Sequence, residues 1–333
     1  MPPTTHLGLT GDVMLGRQVD ARQRTRDVDA VWGDVLPRLR SLDGLCINLE
    51  CCLSTRGRPW TRTYRPFHFR ADPDRALGAL SAAGVDYCSL ANNHLMDYGP
   101  DALADTLDAL DGAGIARAGA GRTLAEAREP ASLAVDGLDV AFVSFTDNTP
   151  EYAATADSPG TAHVRFDLDD RESRRAVEAS LSAARGADPD LLVASLHWGP
   201  NMVTEPPPAF RRFGRWLVDR GVDVVHGHSA HVFQGIEVYG GRPIVYDAGD
   251  FVDDYVVDPE LRNDRSFLFD LRIDGDGTPV ELRLAPVEIR DCAVHLAGGE
   301  AAEWCRERMR ELSDAFGTTF DREGEELVLR IDD

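Results

Sequence analysis

Apolar runs alternate with helix-like patterns along the first two thirds of the chain. The apolar runs predict buried strands at residues 6–11, 44–49, 85–90, 191–196 and 222–225. The periodic segments predict helices at residues 73–83, 100–110, about 170–184, 208–220 and 301–316. Asp72 is an expected N-cap with Pro73 at the first helical position, and Gly112 and Gly114 are expected to end the second helix.

Turn dipeptides separate pairs of apolar runs in the second half of the chain. Hairpins are predicted around Asp136-Gly137, around Gly240-Gly241 and around residues 274–277, and a short strand at about 327–331. Early βα units followed by hairpins indicate an α/β fold, with mixed sheets in which parallel strands carry antiparallel partners at the edges. Neither a linker nor a repeat divides the chain, so residues 1–290 are expected to form one domain, with 291–333 as a helix and strand packed on it.

Two segments are predicted to be loop insertions that wall a cleft. One is residues 55–65, which are rich in arginine and aromatics, and the other is residues 148–160, which are rich in Pro, Ala and Asp. The chain has 333 residues, 43% of them hydrophobic, so a sizeable core is expected without disulfides. The six cysteines lack CxxC spacing and are interpreted as reduced, mostly buried thiols, although Cys51-Cys52 follows Glu50 and so falls near a candidate metal ligand.

The net charge of the chain argues against nucleic acid and anionic membranes as partners. The net charge is −22 and lysine is absent, so all 35 basic residues are arginine. Such a surface repels nucleic acid and anionic membranes, and it is interpreted as a hydrated surface suited to high salt rather than as a docking face. To bind an anionic substrate, such a protein needs a site where divalent cations and a few arginines make the local charge positive. No leader-like segment and no run of 18 uncharged apolar residues occurs, which predicts a cytoplasmic protein without a membrane anchor.

Polar residues with metal-binding chemistry follow several of the predicted strands. They are Asp12, Glu50, Asn93, His94, His197 and His228. Open α/β sheets place their sites at the carboxyl ends of strands, so these side chains are expected to converge. Oxygen and nitrogen ligands of this kind suit Mn, Fe, Zn or Mg, and the set predicts a metal-dependent hydrolase.

The same residues carry a resemblance to a known family. The chain is similar to the CapA, or poly-gamma-glutamate capsule biosynthesis (PGA_cap), proteins of the calcineurin-like metallophosphatase superfamily. The matching motifs are Gly11-Asp12-Val13-Met14-Leu15-Gly16-Arg17, Asn48-Leu49-Glu50, residues 90–99, His197-Trp198-Gly199, residues 227–234, Phe67-His68-Phe69-Arg70-Ala71 and residues 246–251. The resemblance covers about residues 6–270 and is specific as a set.

The resemblance implies a four-layer α/β/β/α sandwich that holds two metal ions. By position, Asp12 and His231 would bind the first ion and Glu50 would bridge both. Asn93, His197 and His228 would bind the second ion. His94 would be the acid that protonates a leaving oxygen, oriented by Asp97.

The implied mechanism is phosphoester hydrolysis by metal-bound hydroxide, with two ions about 3.5 to 4 Å apart. Arg17 and Arg70 are candidates for gripping an anionic substrate in bidentate fashion, and structural pairing with carboxylates is an equal alternative. Met14 replaces the imidazole of the superfamily's Asp-x-His motif, so one ion or two is left open. Asp250 replaces the family's Asn and either supplies a ligand, hydrogen-bonds a ligating histidine or caps a turn, the second role being favoured.

Two classes of function follow from the resemblance. The first is a hydrolase acting on a small anionic substrate, by phosphoester cleavage or, alternatively, by cleavage of a gamma-glutamyl amide. The second is a non-catalytic component of capsular polymer synthesis or export that binds a polyanion. Capsule members generally carry an N-terminal membrane anchor, and this chain begins almost at its first core strand, which favours the soluble enzyme.

Overall fold

The computed structural model describes residues 4–331. Its helices are α1 (Arg17–Gln23), α2 (Leu36–Leu39), α3 (Pro73–Ala83), α4 (Gly99–Ala113), α5 (Leu124–Ala127), α6 (Arg171–Arg185), α7 (Pro208–Asp219) and α8 (Gly299–Asp314), with 3-10 turns at Ala30–Val35 and Pro150–Tyr152. Its strands are β1 (Thr5–Val13), β2 (Gly44–Leu49), β3 (Cys52–Leu53), β4 (Arg70–Ala71), β5 (Tyr87–Ser89), β6 (Ala116–Ala118), β7 (Ala120–Gly121), β8 (Ala131–Val135), β9 (Leu138–Thr146), β10 (Gly160–Thr161), β11 (Leu191–His197), β12 (Val224–His228), β13 (Ile236–Tyr239), β14 (Arg242–Val245), β15 (Asp250–Val252), β16 (Arg265–Ile273), β17 (Pro279–Arg290), β18 (Ala293–Leu296), β19 (Asp321–Glu323) and β20 (Glu326–Arg330).

Two sheets contain most of the strands. The larger has the order β19-β20-β17-β16-β1-β2-β5-β6, with β15 beside β1 and β18 beside β17, and the smaller has the order β13-β14-β12-β11-β9-β8. Strands β1, β2, β5 and β6 are parallel, as are β9, β11, β12 and β14. The hairpins β8-β9, β13-β14 and β16-β17 add antiparallel strands. The predicted mixed α/β class is therefore confirmed.

Alternate residues of the central strands pack into different cores. Cys46 of β2 and Val193 of β11 belong to one apolar cluster shared by both sheets. Ile47 packs with α3 and α4 on the outer face of the larger sheet. Leu192 packs with α6 and α7 on the outer face of the smaller sheet. Because both faces of each sheet are covered, the central strands read as continuous apolar runs.

The predicted caps Asp72 and Gly114 are confirmed. The Asp72 side chain accepts a hydrogen bond from the Arg75 backbone N–H at 3.2 Å at the start of α3. Helix α4 runs from Gly99 to Ala113 and is capped by Gly114, whose φ is +73°, whereas Gly112, which was also expected to end it, lies inside the helix. A left-handed residue after the last turn is the usual glycine-dependent helix ending.

The state of the cysteines can be compared with the prediction of reduced, mostly buried thiols. All six cysteines are free thiols and five of them are buried, as expected. Between residues 4 and 331, two groups of side chains are arranged so that they could hold a metal ion, and neither group contains Cys51 or Cys52. Of the helices between residues 4 and 331, none is long and apolar enough to cross a membrane.

Candidate metal centre

Strand register brings the polar strand ends together. Asp12 of β1 lies opposite Asn48 of β2 on one side and Asp250 of β15 on the other. In the smaller sheet, His197 of β11 lies opposite His228 of β12. Gly11 makes the β1–β15 approach possible, because a Cβ at that position would lie 1.8 Å from the Gly249 carbonyl oxygen.

The first group of converging ligands consists of Asp12, Glu50, His231 and Asp250, all buried. His231 Nδ1 lies 2.8 Å from Asp250 Oδ1 and 3.7 Å from Asp12 Oδ2. The contact with Asp250 is the hydrogen bond favoured for that residue. His231 has a φ of +61° and the neighbouring Ser229 a φ of +115°, conformations that are costly for residues with a Cβ and that cluster at functional sites.

The second group consists of Asp12, His197 and His228. Asp12 Oδ1 lies 3.5 Å from His228 Nδ1 and 3.8 Å from His197 Nδ1. Asn93 Oδ1 lies 2.8 Å from His197 Nε2, on the other edge of the ring. Asp12 therefore belongs to both groups, with one carboxylate oxygen facing each.

Buried carboxylate oxygens without partners make the first group suited to a cation, whereas Asp12 Oδ1, which faces the second group, accepts a hydrogen bond from the Asn48 side-chain amide at 2.6 Å. Asp12 Oδ2, both oxygens of Glu50 and Asp250 Oδ2 are buried and accept no hydrogen bond. Burial raises the pKa of Asp12 to about 6, and burial next to Asp12 raises the pKa of Glu50 well above its usual range. Unpaired buried carboxylates are costly, and a divalent ion with oxygen and imidazole ligands would offset that cost.

Met14 stands where the Asp-x-His motif that the resemblance implies has a histidine. Its side chain is buried, and its sulfur accepts a hydrogen bond from the Gly16 N–H at 3.2 Å. The acid at Asp250 instead completes the first group. The first group thus has four residues that could hold an ion without a histidine at position 14.

His94 and Asp97 form a hydrogen-bonded pair beside the two groups. Asp97 Oδ2 lies 2.6 Å from His94 Nδ1 and accepts the Phe69 backbone N–H at 2.7 Å. Tyr152 donates its hydroxyl to Asp97 Oδ1 at 2.9 Å. His94 Nε2 points towards Glu50, 4.0 Å from Oε1. Burial lowers the pKa of His94, although Asp97 opposes that shift.

Tyr152 is expected to hold Asp97 in place. Tyr152→Phe removes one hydrogen bond to a buried charged group, so it is expected to lower the free energy of unfolding by about 1.5 to 3 kcal/mol. Tyr239→Phe is the matched control, because the Tyr239 hydroxyl makes a 3.3 Å contact at the surface and its loss should change stability by under about 0.5 kcal/mol. Urea unfolding measures both. Equal stabilities of the two variants would contradict the role of Tyr152.

A cavity of about 480 Å³ opens onto His94, His231 and Asn93. Its lining arginine is Arg65, not Arg17 or Arg70. The Arg17 guanidinium lies 3.4 Å from Asp254 and over the Phe67 ring, and Arg70 stacks over Tyr98 at 4.1 Å. Both arginines thus make structural pairings, and substrate contact by either stays a prediction.

The two predicted insertions pack against each other beside this cavity. Thr63 donates to Glu151 at 2.7 Å, and the Trp60 and Tyr152 rings meet edge to face at 4.9 Å. Sequence reasoning missed Arg65 and Tyr152, because their segments show no strand-end pattern. The available signal was their place in the two predicted insertions, residues 55–65 for Arg65 and residues 148–160 for Tyr152.

Comparisons with known proteins show what the chain is similar to. The family described as "Bacterial capsule synthesis protein PGA_cap" matches residues 6–255. A "Probable polyglutamine synthesis accessory protein" of Mycobacterium tuberculosis is 34% identical over 323 residues, covering 92% of this chain and 83% of the relative. "Capsule biosynthesis protein CapA" of Bacillus anthracis is 29% identical, covering 85% and 67%. The solved structure of a hypothetical protein from Thermus thermophilus covers 86% of this chain and 100% of its own, with a TM-score of 0.48 and 17% identity.

Proposed function

The chain belongs to the bacterial capsule synthesis protein PGA_cap family, and from this premise we propose that it is a metal-dependent hydrolase that cleaves phosphoesters. The observation that carries the proposal is the set of buried, unpartnered carboxylate oxygens facing imidazoles. Such a set is costly unless it binds a cation. The proposed fold is the four-layer metallophosphatase-like sandwich, supported by one core between the sheets and one on each outer face.

The proposed domain includes the C-terminal segment. Strands β18 and β20 both pair with β17, so residues 291–333 extend the larger sheet of the domain formed by residues 1–290. Helix α8 adds Cys305 and Met309 to the core between the sheets. These contacts support a single domain.

The proposed ligand roles differ from those that the resemblance implies in that Asp12 rather than Glu50 is shared and Asp250 is added to the first group. Asp12 is proposed as the shared ligand, because its two oxygens face the two groups. Glu50, His231 and Asp250 complete the first group. His197 and His228 complete the second, with Asn93 beside them. Glu50 Oε1 also lies 3.7 Å from His197 Nε2, so Glu50 is close to the second group. Glu50 nevertheless belongs to the first group alone, whereas Asp12 belongs to both.

The residues around the ligands would donate a proton to the leaving oxygen and orient the substrate. Divalent ions bound there would lower the pKa of a coordinated water and neutralise charge that develops on oxygen. His94 would give a proton to the leaving oxygen from Nε2, the nitrogen that faces the site. Asp97 would keep Nδ1 protonated and fix the ring orientation. Asn93 and Arg65 would orient the substrate in the cavity.

Metal binding is expected to stabilise the protein. Mn²⁺ at about 100 times its Kd should add about 2.7 kcal/mol, because it binds the folded state alone. For a chain of this size, that is a rise in Tm of about 4 °C. Differential scanning calorimetry with Mn²⁺ and with EDTA measures it, in molar salt because the net charge of −22 causes self-repulsion at low salt. Identical Tm values under both conditions would contradict metal binding.

The names of the relatives favour a second candidate. The mycobacterial relative is named as an accessory of polyglutamine synthesis, and the Bacillus relative as a capsule biosynthesis protein. This chain would then act on a gamma-glutamyl amide at the same site, or bind such a polyanion without turnover. Assaying phosphoesters and a gamma-glutamyl oligomer side by side separates these options, since a binding component turns over neither.

A further inference from the structure

Exposed apolar side chains surround the mouth of the cavity. Phe67 is 44% exposed and Val256 is 92% exposed, and both line the cavity together with Tyr255 and Met202. Exposing apolar surface to water is unfavourable. On a chain with a net charge of −22, apolar side chains placed at the mouth of a candidate site are typical of ligand contact.

An aromatic path connects this apolar mouth to the proposed proton donor. The Phe67 and Phe69 rings are stacked with centroids 6.3 Å apart, and the Phe69 and His94 rings lie 3.8 Å apart. On the other wall, the Tyr255 ring lies 4.9 Å from the ring of His231. Phe69 is fully buried, so an apolar group against Phe67 or Tyr255 at the mouth would lie one ring away from His94 and next to His231.

The cavity has little unmatched positive charge. Among its lining residues Arg65 is the one arginine, and its guanidinium lies 3.4 Å from Glu151 and over the Tyr152 ring. Neutral carboxamides from Asn201 and Asn263 line the rest of the polar wall. A polyanion would bring several charges, and the one arginine in the lining is already paired with Glu151, whereas a single charge can be matched at the metal groups.

We infer that the substrate is a phosphodiester with one negative charge and an apolar ester arm that lies against Phe67, Tyr255 and Val256. The inference rests on the proposed hydrolase function. In the reaction, the oxygen of water bonds to phosphorus and one P–O ester bond breaks. The leaving oxygen takes a proton from His94, which regains one from the attacking water through solvent. The products are an alcohol and a phosphomonoester.

Two ligands of equal charge test the inference without depending on turnover. Diphenyl phosphate and dimethyl phosphate each carry one negative charge and differ in apolar area. Isothermal titration calorimetry with the Mn²⁺-loaded protein is expected to give a Kd at least about tenfold lower for diphenyl phosphate, as burial of an aromatic ring would provide. Phe67→Ala and Val256→Ser should each reduce this ratio. Tyr64→Ser should leave it unchanged, since Tyr64 is 89% exposed on the same loop and does not line the cavity.

The outcomes separate this inference from the proposed function. Hydrolysis of the two diesters is followed in parallel. A tenfold ratio that depends on Phe67 and Val256, together with hydrolysis, supports the inference. The same ratio without hydrolysis supports only the apolar contact of the bound diester, and the hydrolase proposal then fails. Equal affinities overturn the inference, even if both diesters are hydrolysed. Tighter binding of a gamma-glutamyl oligomer than of diphenyl phosphate also overturns it.

Discussion

Replacing Asp12 with Asn is expected to remove bound metal from both groups, whereas Glu50→Gln is expected to empty the first group and leave the second occupied. Asp12 faces both groups with separate oxygens, and Glu50 belongs to the first. Because altering an outer partner of a metal ligand already costs about 10- to 100-fold, loss of a shared ligand should lower turnover by at least about 100-fold. Elemental analysis after dialysis against Mn²⁺ measures the occupancy.

Asp86→Asn is the matched control for Asp12→Asn. Asp86 is a partly buried acid that accepts the Leu45 backbone N–H at 2.9 Å and belongs to neither group. An Asn there can still accept that hydrogen bond, so wild-type metal content is expected. A folded Asp12→Asn variant that keeps both ions would contradict the shared role. Loss of both ions in Glu50→Gln would show instead that Glu50 bridges, as the resemblance implied.

His94→Ala is expected to lower kcat by about 10²- to 10⁴-fold while metal content stays unchanged. His94 is 6% exposed, lines the cavity and is paired with Asp97, but it belongs to neither ligand group. It is therefore placed to move a proton rather than to hold an ion. Steady-state hydrolysis of an aryl phosphodiester, with elemental analysis of the same samples, measures both quantities.

The control for this variant is His295→Ala. His295 is partly exposed and lies 3.6 Å from Asp34, far in sequence from the site residues, so full turnover is expected. If His94→Ala lost metal as well as turnover, His94 would be a ligand. If it kept full turnover, the proposed acid would be wrong. A binding component would keep its function in this variant, since binding needs no proton donor.

The sequence was most informative where strand ends carry the chemistry. The runs before Asp12, Glu50 and His197 are apolar because both faces of each sheet are buried, so the polar residue that follows each run was visible. Parallel pairing then brings such residues to one edge, as the register of Asp12 with Asn48 shows. Helix α3 was predicted to the residue, because Asp72 and Gly84 supply local caps.

Features that depend on tertiary contacts could not be predicted from the sequence. The short strand β15 was not predicted, and it is the strand that places Asp250 opposite Asp12. Its three residues are too few for a periodic pattern. Arg65 reaches the cavity and Tyr152 reaches Asp97 because two loop insertions pack together, and spacing along the chain does not encode such packing. Helix α1 and strand β18 were also not predicted.

The most direct test of the proposed function is hydrolysis of bis-p-nitrophenyl phosphate as a function of metal occupancy. The purified protein is stripped with EDTA, dialysed into molar salt and titrated with Mn²⁺, while bound metal and initial rate are measured on each sample. The proposal predicts no turnover in the stripped protein and a rate that rises in step with occupancy. Turnover that is unaffected by stripping, or folded and metal-loaded protein that hydrolyses nothing, would contradict it.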